Sequence, residues 1–263
     1  MHTNQQRYKP LRTFFLLLSW ALTFCACNTT STPKPEEHQL SEKFYQNLLV
    51  AFSGHDYQLV HTGLDKINEA GIADKRTRYL EAMLALIERK PDVAVTALQD
   101  ALVMDPEFGE AHNTLGTIYM QQKKYDLAET EFLKACDSAM YQTPEKAYQN
   151  LGNLYCIQKK NRQAQGCYLE AIKLRPGYFP PHYELSRLYL QTQRLELAAD
   201  EIEKARQINS EHPGVWLQIG KIEKARGNQN EAIKAFEKVM KLQPAGKFAD
   251  LANQEIESIN KVY

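Results

Sequence analysis

Four stretches decide the fold: AHNTLGTIYMQQKKYDLAETEFLKA (Ala111 to Ala135), KAYQNLGNLYCIQKKNRQAQGCYLEAIKLRP (Lys146 to Pro176), PHYELSRLYLQTQRLELAADEIEKARQIN (Pro181 to Asn209) and GVWLQIGKIEKARGNQNEAIKAFEKVMKLQP (Gly214 to Pro244). Each has a Leu or Ile followed by a small residue: Leu115–Gly116, Leu151–Gly152, Leu185–Ser186, Ile219–Gly220. A short polar turn follows. A second run then repeats at helical spacing: Ala128–Phe132–Ala135, Ala164–Tyr168–Ala171, Ala198–Ile202–Ala205, Ala232–Phe236–Val239. Apolar residues at i, i+4 and i+7 mark one face of a helix, so each stretch reads as a helical hairpin. Pro176 and Pro244 stand where the second helix must stop, because proline lacks the amide proton a helix needs.

The period and pattern resemble the tetratricopeptide repeat, a helix–turn–helix unit of about 34 residues. Gly116 and its equivalents are expected where the first (A) helix crosses the second (B) helix, facing Ala128 and its equivalents. Tyr119, Tyr155 and Tyr189 are expected to fill the wedge one turn later. Upstream, Arg78 to Pro106 keeps Ala94, Leu98, Ala101 and Pro106 but with a turn one residue longer. The segment 41–74 keeps only an amphipathic pattern. The expected architecture is all-α, a right-handed superhelical solenoid of about thirteen helices. It comprises a degenerate repeat at 41–74, repeats at 75–108, 109–144, 145–178, 179–212 and 213–246, and a capping helix at 247–260. Atypical end units are expected because one face meets water.

The composition agrees. Hydrophobic residues make up 43% and charged residues 24% of 263, a globular mix rather than a disordered one. The 32 basic and 32 acidic side chains balance, so the chain as a whole lacks the charge of a nucleic-acid binder, and no nucleic-acid partner is expected.

Residues 1–26 read as an export signal: Arg7, Lys9 and Arg12 precede the apolar run Phe14 to Phe24, which is too short to span a bilayer comfortably. The segment resembles a bacterial lipoprotein signal, which implies lipidation at Cys27; ordinary cleavage to a soluble periplasmic protein is the other reading. Processing leaves 29 basic and 32 acidic side chains, net −3. By the same resemblance, Asn28 after the lipid site points to the outer membrane. Residues 27–40, rich in Thr and Pro, read as a flexible tether.

Of the remaining cysteines, Cys136, Cys156 and Cys167 read as small apolar residues at helix interfaces, with a Cys156–Cys167 disulfide left open. His112 and His182 read as packing residues. The sequence holds no zinc-ligand spacing, nucleophile elbow or phosphate-binding glycine loop. No catalytic residue, metal or cofactor is therefore expected, and the chain reads as a binding module rather than an enzyme.

In the repeat register, the A-helix positions that face a concave groove include Asn113 and Thr117, Gln149 and Asn153, Tyr183 and Arg187, and Leu217 and Lys221. Such amide, aromatic and apolar groups suit an extended peptide or a docked helix. A narrower likeness comes from the linker Ser138 to Tyr155, which stretches the Gly116-to-Gly152 interval to 36. With Tyr141, Pro144 and Ala147–Tyr148–Gln149–Asn150–Leu151–Gly152, it resembles the type IV pilus biogenesis lipoproteins, the pilotins of the PilF, PilW and Tgl kind. That resemblance covers most of residues 75–245 and departs from the family at Phe24 and in the weak first repeat. It implies a lipid-anchored outer-membrane scaffold, facing the periplasm, that helps the pilus secretin localise and multimerise. A general envelope adaptor, for outer-membrane assembly or peptidoglycan enzymes, is the competing reading.

Overall fold

The computed structural model describes residues 35–261. Cys27 and the expected signal lie outside them. Thirteen α-helices and no strand occur among the described residues: α1 Pro35–Ser53, α2 Tyr57–Glu69, α3 Lys75–Ile87, α4 Pro91–Met104, α5 Gly109–Gln121, α6 Tyr125–Asp137, α7 Pro144–Ile157, α8 Asn161–Leu174, α9 Phe179–Gln191, α10 Leu195–Ile208, α11 Pro213–Arg226, α12 Gln229–Leu242 and α13 Lys247–Asn260. None of them is long and apolar enough to cross a membrane. Two compact units divide at Asp56/Tyr57, within the segment 41–74 read as one degenerate repeat. The first unit contains α1, which opens at Pro35, so the last six residues of the segment 27–40 read as a tether are helical.

In the second unit, α3/α4, α5/α6, α7/α8, α9/α10 and α11/α12 are antiparallel hairpins, each packed on the next. Their first helices open at Lys75, Gly109, Pro144, Phe179 and Pro213, within one residue of the repeat boundaries read from the period. Proline opens α4, α7 and α11, where the missing amide proton costs nothing and its fixed φ suits the first turn. The α3 start is closed by a capping box: Asp74 accepts from the amides of Arg76 and Thr77 at 2.9 Å, and Thr77 Oγ1 accepts from the Asp74 amide at 2.9 Å.

The turns inside the hairpins repeat one backbone conformation. Arg89, Lys123, Lys159 and Gln193 all have φ near +60°, and Gly227 takes φ +85° in the last hairpin. A side chain in this left-handed region costs roughly 1 kcal/mol. The turn after α3 is Glu88–Arg89–Lys90, the same three-residue length as its neighbours, so the longer turn expected there does not occur.

Close helix crossing has a specific cause. A Cβ on Gly116, Gly152 or Gly220 would lie 2.6, 2.5 or 2.4 Å from the ring of Phe132, Tyr168 or Phe236. The space the missing side chain leaves is thus filled by the B-helix aromatic rather than by Ala128 and its equivalents. Those alanines are fully buried beside it. In the fourth hairpin Ser186 replaces Gly, and its hydroxyl donates to the Ala198 carbonyl at 2.7 Å, which satisfies a buried polar group.

Each packing histidine also forms a staple. His182 Nδ1 meets the Glu201 carboxylate at 2.7 Å, and Nε2 donates to the Pro176 carbonyl at 3.0 Å. His112 repeats this with Glu131 at 2.5 Å and the Pro106 carbonyl at 2.9 Å. Each buried ring therefore ties helix A to helix B and to the preceding turn. The lengthened linker is equally anchored: Tyr141 is buried against Gly109, where a Cβ would lie 2.5 Å from Tyr141 Cβ. Ser138 Oγ donates to the Glu107 carbonyl at 2.7 Å.

Cys136, Cys156 and Cys167 are free thiols. The disulfide left open between Cys156 and Cys167 is not formed; Cys156 Sγ lies 3.4 Å from the Tyr168 hydroxyl. Burial pushes the thiols of Cys136 and Cys167 up to about 12.

Candidate peptide-binding groove

Successive A helices approach one another, α5 with α7, α7 with α9, α9 with α11 and α11 with α13, whereas successive B helices do not come comparably close. That inequality curves the stack, with the A helices on the inner wall. Residues one helical turn apart on each A helix share a face, so the residues read from the register on α5, α7 and α9 fall in pairs along one face of each helix.

Asn113 and Thr117 on α5 are half-buried. The Asn113 side-chain carbonyl accepts from Asn150 Nδ2 of the next A helix at 3.0 Å, and Thr117 Oγ1 donates to the Asn113 carbonyl at 3.0 Å. On α7, Gln149 Oε1 accepts from the Tyr178 hydroxyl at 3.4 Å, and Asn153 Oδ1 accepts from the Tyr168 hydroxyl at 2.8 Å. Asn113, Gln149 and Asn153 thus tie their helices to neighbouring segments, while Thr117 bonds back within its own helix.

Tyr183 and Arg187 on α9 are the most available pair. Tyr183 stacks on Phe179, with ring centroids 5.8 Å apart and planes 17° apart, and its other neighbour is His212 at 5.8 Å. Arg187 is exposed, lies 5.9 Å over the Tyr183 ring and donates to Glu184 at 2.7 Å.

The α11 positions differ from expectation. Leu217 is only 4% exposed and belongs to the core with Ala232, Phe236, Ala252 and Ile259. Its position faces the next A helix, and α13 covers it, so Leu217 is not a groove residue. Lys221 is half-buried, and its ammonium lies 3.8 Å from Glu255 of α13. Lys224 makes the closer contacts there, to Glu255 and Ser258 at 2.6 Å each.

Between α7, α9 and α11 the wall forms an open hollow of about 430 Å³. Arg187 and Lys221 line it, together with Cys156, Glu184, Leu188 and Gln218. Burial raises the Glu184 carboxyl above its ordinary range, and the Arg187 guanidinium offsets this only in part. The register reading missed Glu184 and Gln218. The available signal was their place three residues before Arg187 and Lys221, on the seam between A helices. No cluster of three potential metal ligands occurs among the described residues. A half-polar, concave wall on which the half-buried Tyr183 ring lies beside the exposed Arg187 has the chemistry to contact a peptide segment.

These features define a class, the solenoids of stacked helical hairpins. More narrowly, the tetratricopeptide repeat model matches residues 79–143, 150–213 and 213–245, and the chain belongs to the tetratricopeptide repeat family. Among curated proteins it is 26% identical over 154 residues to the type IV pilus assembly protein PilF of Pseudomonas aeruginosa, covering 57% of this chain and 60% of that one. It is 24% identical over 144 residues to the tetratricopeptide repeat-containing protein trd-1 of Caenorhabditis elegans, covering 54% of this chain and 18% of that one. The match thus spans less than two thirds of either relative. Among solved structures, PilF of P. aeruginosa aligns with a TM-score of 0.75 at 17% identity, over 87% of this chain and all of that chain. PilW, a type IV pilus biogenesis factor, aligns with a TM-score of 0.72 at 20% identity, over 84% of this chain and 98% of that chain.

Proposed function

We propose that this chain is a non-catalytic scaffold of the bacterial outer membrane that assists type IV pilus biogenesis. Its groove holds a segment of another envelope protein, the pilus secretin, and promotes secretin localisation and multimerisation. A lipid on Cys27 holds it at the periplasmic face. The observation that carries the reading is the sequence relationship to PilF over 154 residues, in a chain whose lengthened linker is built into the fold through Tyr141 and Gly109. Groove chemistry supports a protein ligand: an aromatic–cation pair such as Tyr183 and Arg187 belongs to the residue types that dominate binding energy at interfaces.

The direct test is capture from detergent-solubilised outer membranes by the tagged full chain, with capture by a groove-substituted chain as control. Recovery of the secretin by the first and not the second supports the reading. Recovery of outer-membrane assembly factors or cell-wall enzymes in place of the secretin replaces it with the general adaptor.

A further inference from the structure

The turns inside the hairpins lie along one edge of the solenoid, and that edge is basic. In three of them the left-handed residue is a cation: Arg89, Lys123 and Lys159, all at φ 60°. A left-handed backbone favours glycine, and Gly227 takes that place in the last hairpin. The chain therefore sets a charged side chain where its backbone would accept none. All three side chains are exposed, with no ion-pair partner among the described residues.

The residue that follows is basic too. Lys124, Lys160 and Arg194 lie 5.8, 5.3 and 4.5 Å over the rings of Tyr119, Tyr155 and Tyr189. Each ring belongs to the wedge tyrosine of the same hairpin, so the cation takes the same direction in each. Acidic groups share this edge: Glu88 pairs with Lys90 at 2.9 Å, Glu129 accepts from Tyr155 and Lys160, and Glu196 pairs with Arg226 at 2.6 Å, which leaves Arg89, Lys123 and Lys159 as the cations they do not engage. Asp92 and Asp126 stand in the first turns of α4 and α6. The opposite edge of the same hairpins mixes the two signs, with Asp105, Glu107 and Asp137 beside Lys75, Lys134 and Arg175.

We propose that this edge, centred on Arg89, Lys123 and Lys159, binds the anionic headgroups of a phospholipid surface, so that the solenoid lies edge-on against a bilayer with its groove free. A row of cations at the repeat interval matches an extended anionic plane rather than a compact ligand. Membrane charge attracts basic side chains within a Debye length without requiring a specific geometry. Ile87 and Ile157 are exposed two residues before Arg89 and Lys159 and place apolar side chains beside the headgroup contacts. Nucleic acid is the poorer fit, because the three tyrosine faces are already covered by cations and are not free to stack on bases.

The test is flotation of the full chain with vesicles of phosphatidylcholine alone and of phosphatidylcholine with phosphatidylglycerol, at low and high salt. Neutral vesicles report any attachment through the N-terminal segment, so the readout is the ratio of the two affinities. The expected ratio is at least about tenfold at low salt, falling as salt rises. The triple variant Arg89→Gln, Lys123→Gln, Lys159→Gln should abolish the ratio and keep its melting temperature, since Gln193 already occupies this backbone position at φ 59°. Gln193→Lys should raise the ratio, and Lys241→Gln with Lys247→Gln at the opposite edge should leave it unchanged. Equal binding to the two vesicles overturns the proposal, as does a ratio kept by the triple variant or lost by the opposite-edge variant. Saturable binding of inorganic phosphate alone without a vesicle preference, or single-stranded DNA bound more tightly than anionic vesicles, overturns it in favour of a phosphate site or a nucleic-acid edge.

Discussion

Tyr168 stands against the bare backbone of Gly152, its ring so close that a Cβ there would lie 2.5 Å from Cε1. The same ring is fully buried, and its hydroxyl donates to Asn153 in the groove. Core packing and groove wall therefore share one side chain. Gly152→Leu would force the ring out of both, and overpacking of this kind costs roughly 1–3 kcal/mol or more. The urea midpoint should fall accordingly; an unchanged midpoint would mean that the helices do not cross there.

The two histidine staples make stability depend on acid. Burial raises the Glu131 and Glu201 carboxyls, but hydrogen bonds from His112 and His182, with Lys134 and Lys204, outweigh it and leave both below the ordinary glutamate range. A carboxyl depressed in the folded state stabilises above its unfolded value, about 4.3, and that contribution is lost as pH falls through the folded value. Urea midpoints should therefore hold above about pH 5 and drop as pH falls through about 4 and below, and less steeply in Glu131→Gln, Glu201→Gln. Parallel curves for the two proteins would contradict this.

Thiols held up to about 12 at Cys136 and Cys167 are protonated at neutral pH, and the thiolate is the reactive form. Alkylation of the native protein at about pH 7.5 should be slower at both half-buried sites than in urea. Equal labelling rates with and without urea would contradict this.

Cys27→Ser should move the protein from the membrane to the soluble periplasmic fraction, since each buried methylene of an acyl chain contributes about 0.8 kcal/mol. Mass spectrometry of an unmodified mature N-terminus would defeat the lipid assignment.

Most of the fold was legible because a repeated unit states its packing several times over. The period placed helix starts, and small residues at Gly116, Gly152 and Gly220 announced close crossings. What the pattern did not name was the partner: a small residue marks a close approach, while the side chain that fills it depends on backbone direction, here Phe132, Tyr168 and Phe236. Leu217 was misread for a related reason. Its position borders both groove and next helix, and α13, which lies outside the repeat pattern, buries it. Glu184 and Gln218 were missed because the seam between A helices is a contact between repeats, and no single repeat displays it.

The central claim is that the groove pair Tyr183 and Arg187 engages the secretin. The measurement is the yield of heat-stable secretin multimers in piliated cells carrying Tyr183→Ala with Arg187→Ala, compared with Glu203→Ala on the B-helix face. Loss of both groove side chains should leave the protein folded and in the membrane fraction while multimers fall at least about tenfold, the effect of losing roughly 1.4 kcal/mol or more at a contact centre. Multimers at the wild-type level in the groove variant, with loss confined to Glu203→Ala, would contradict the account.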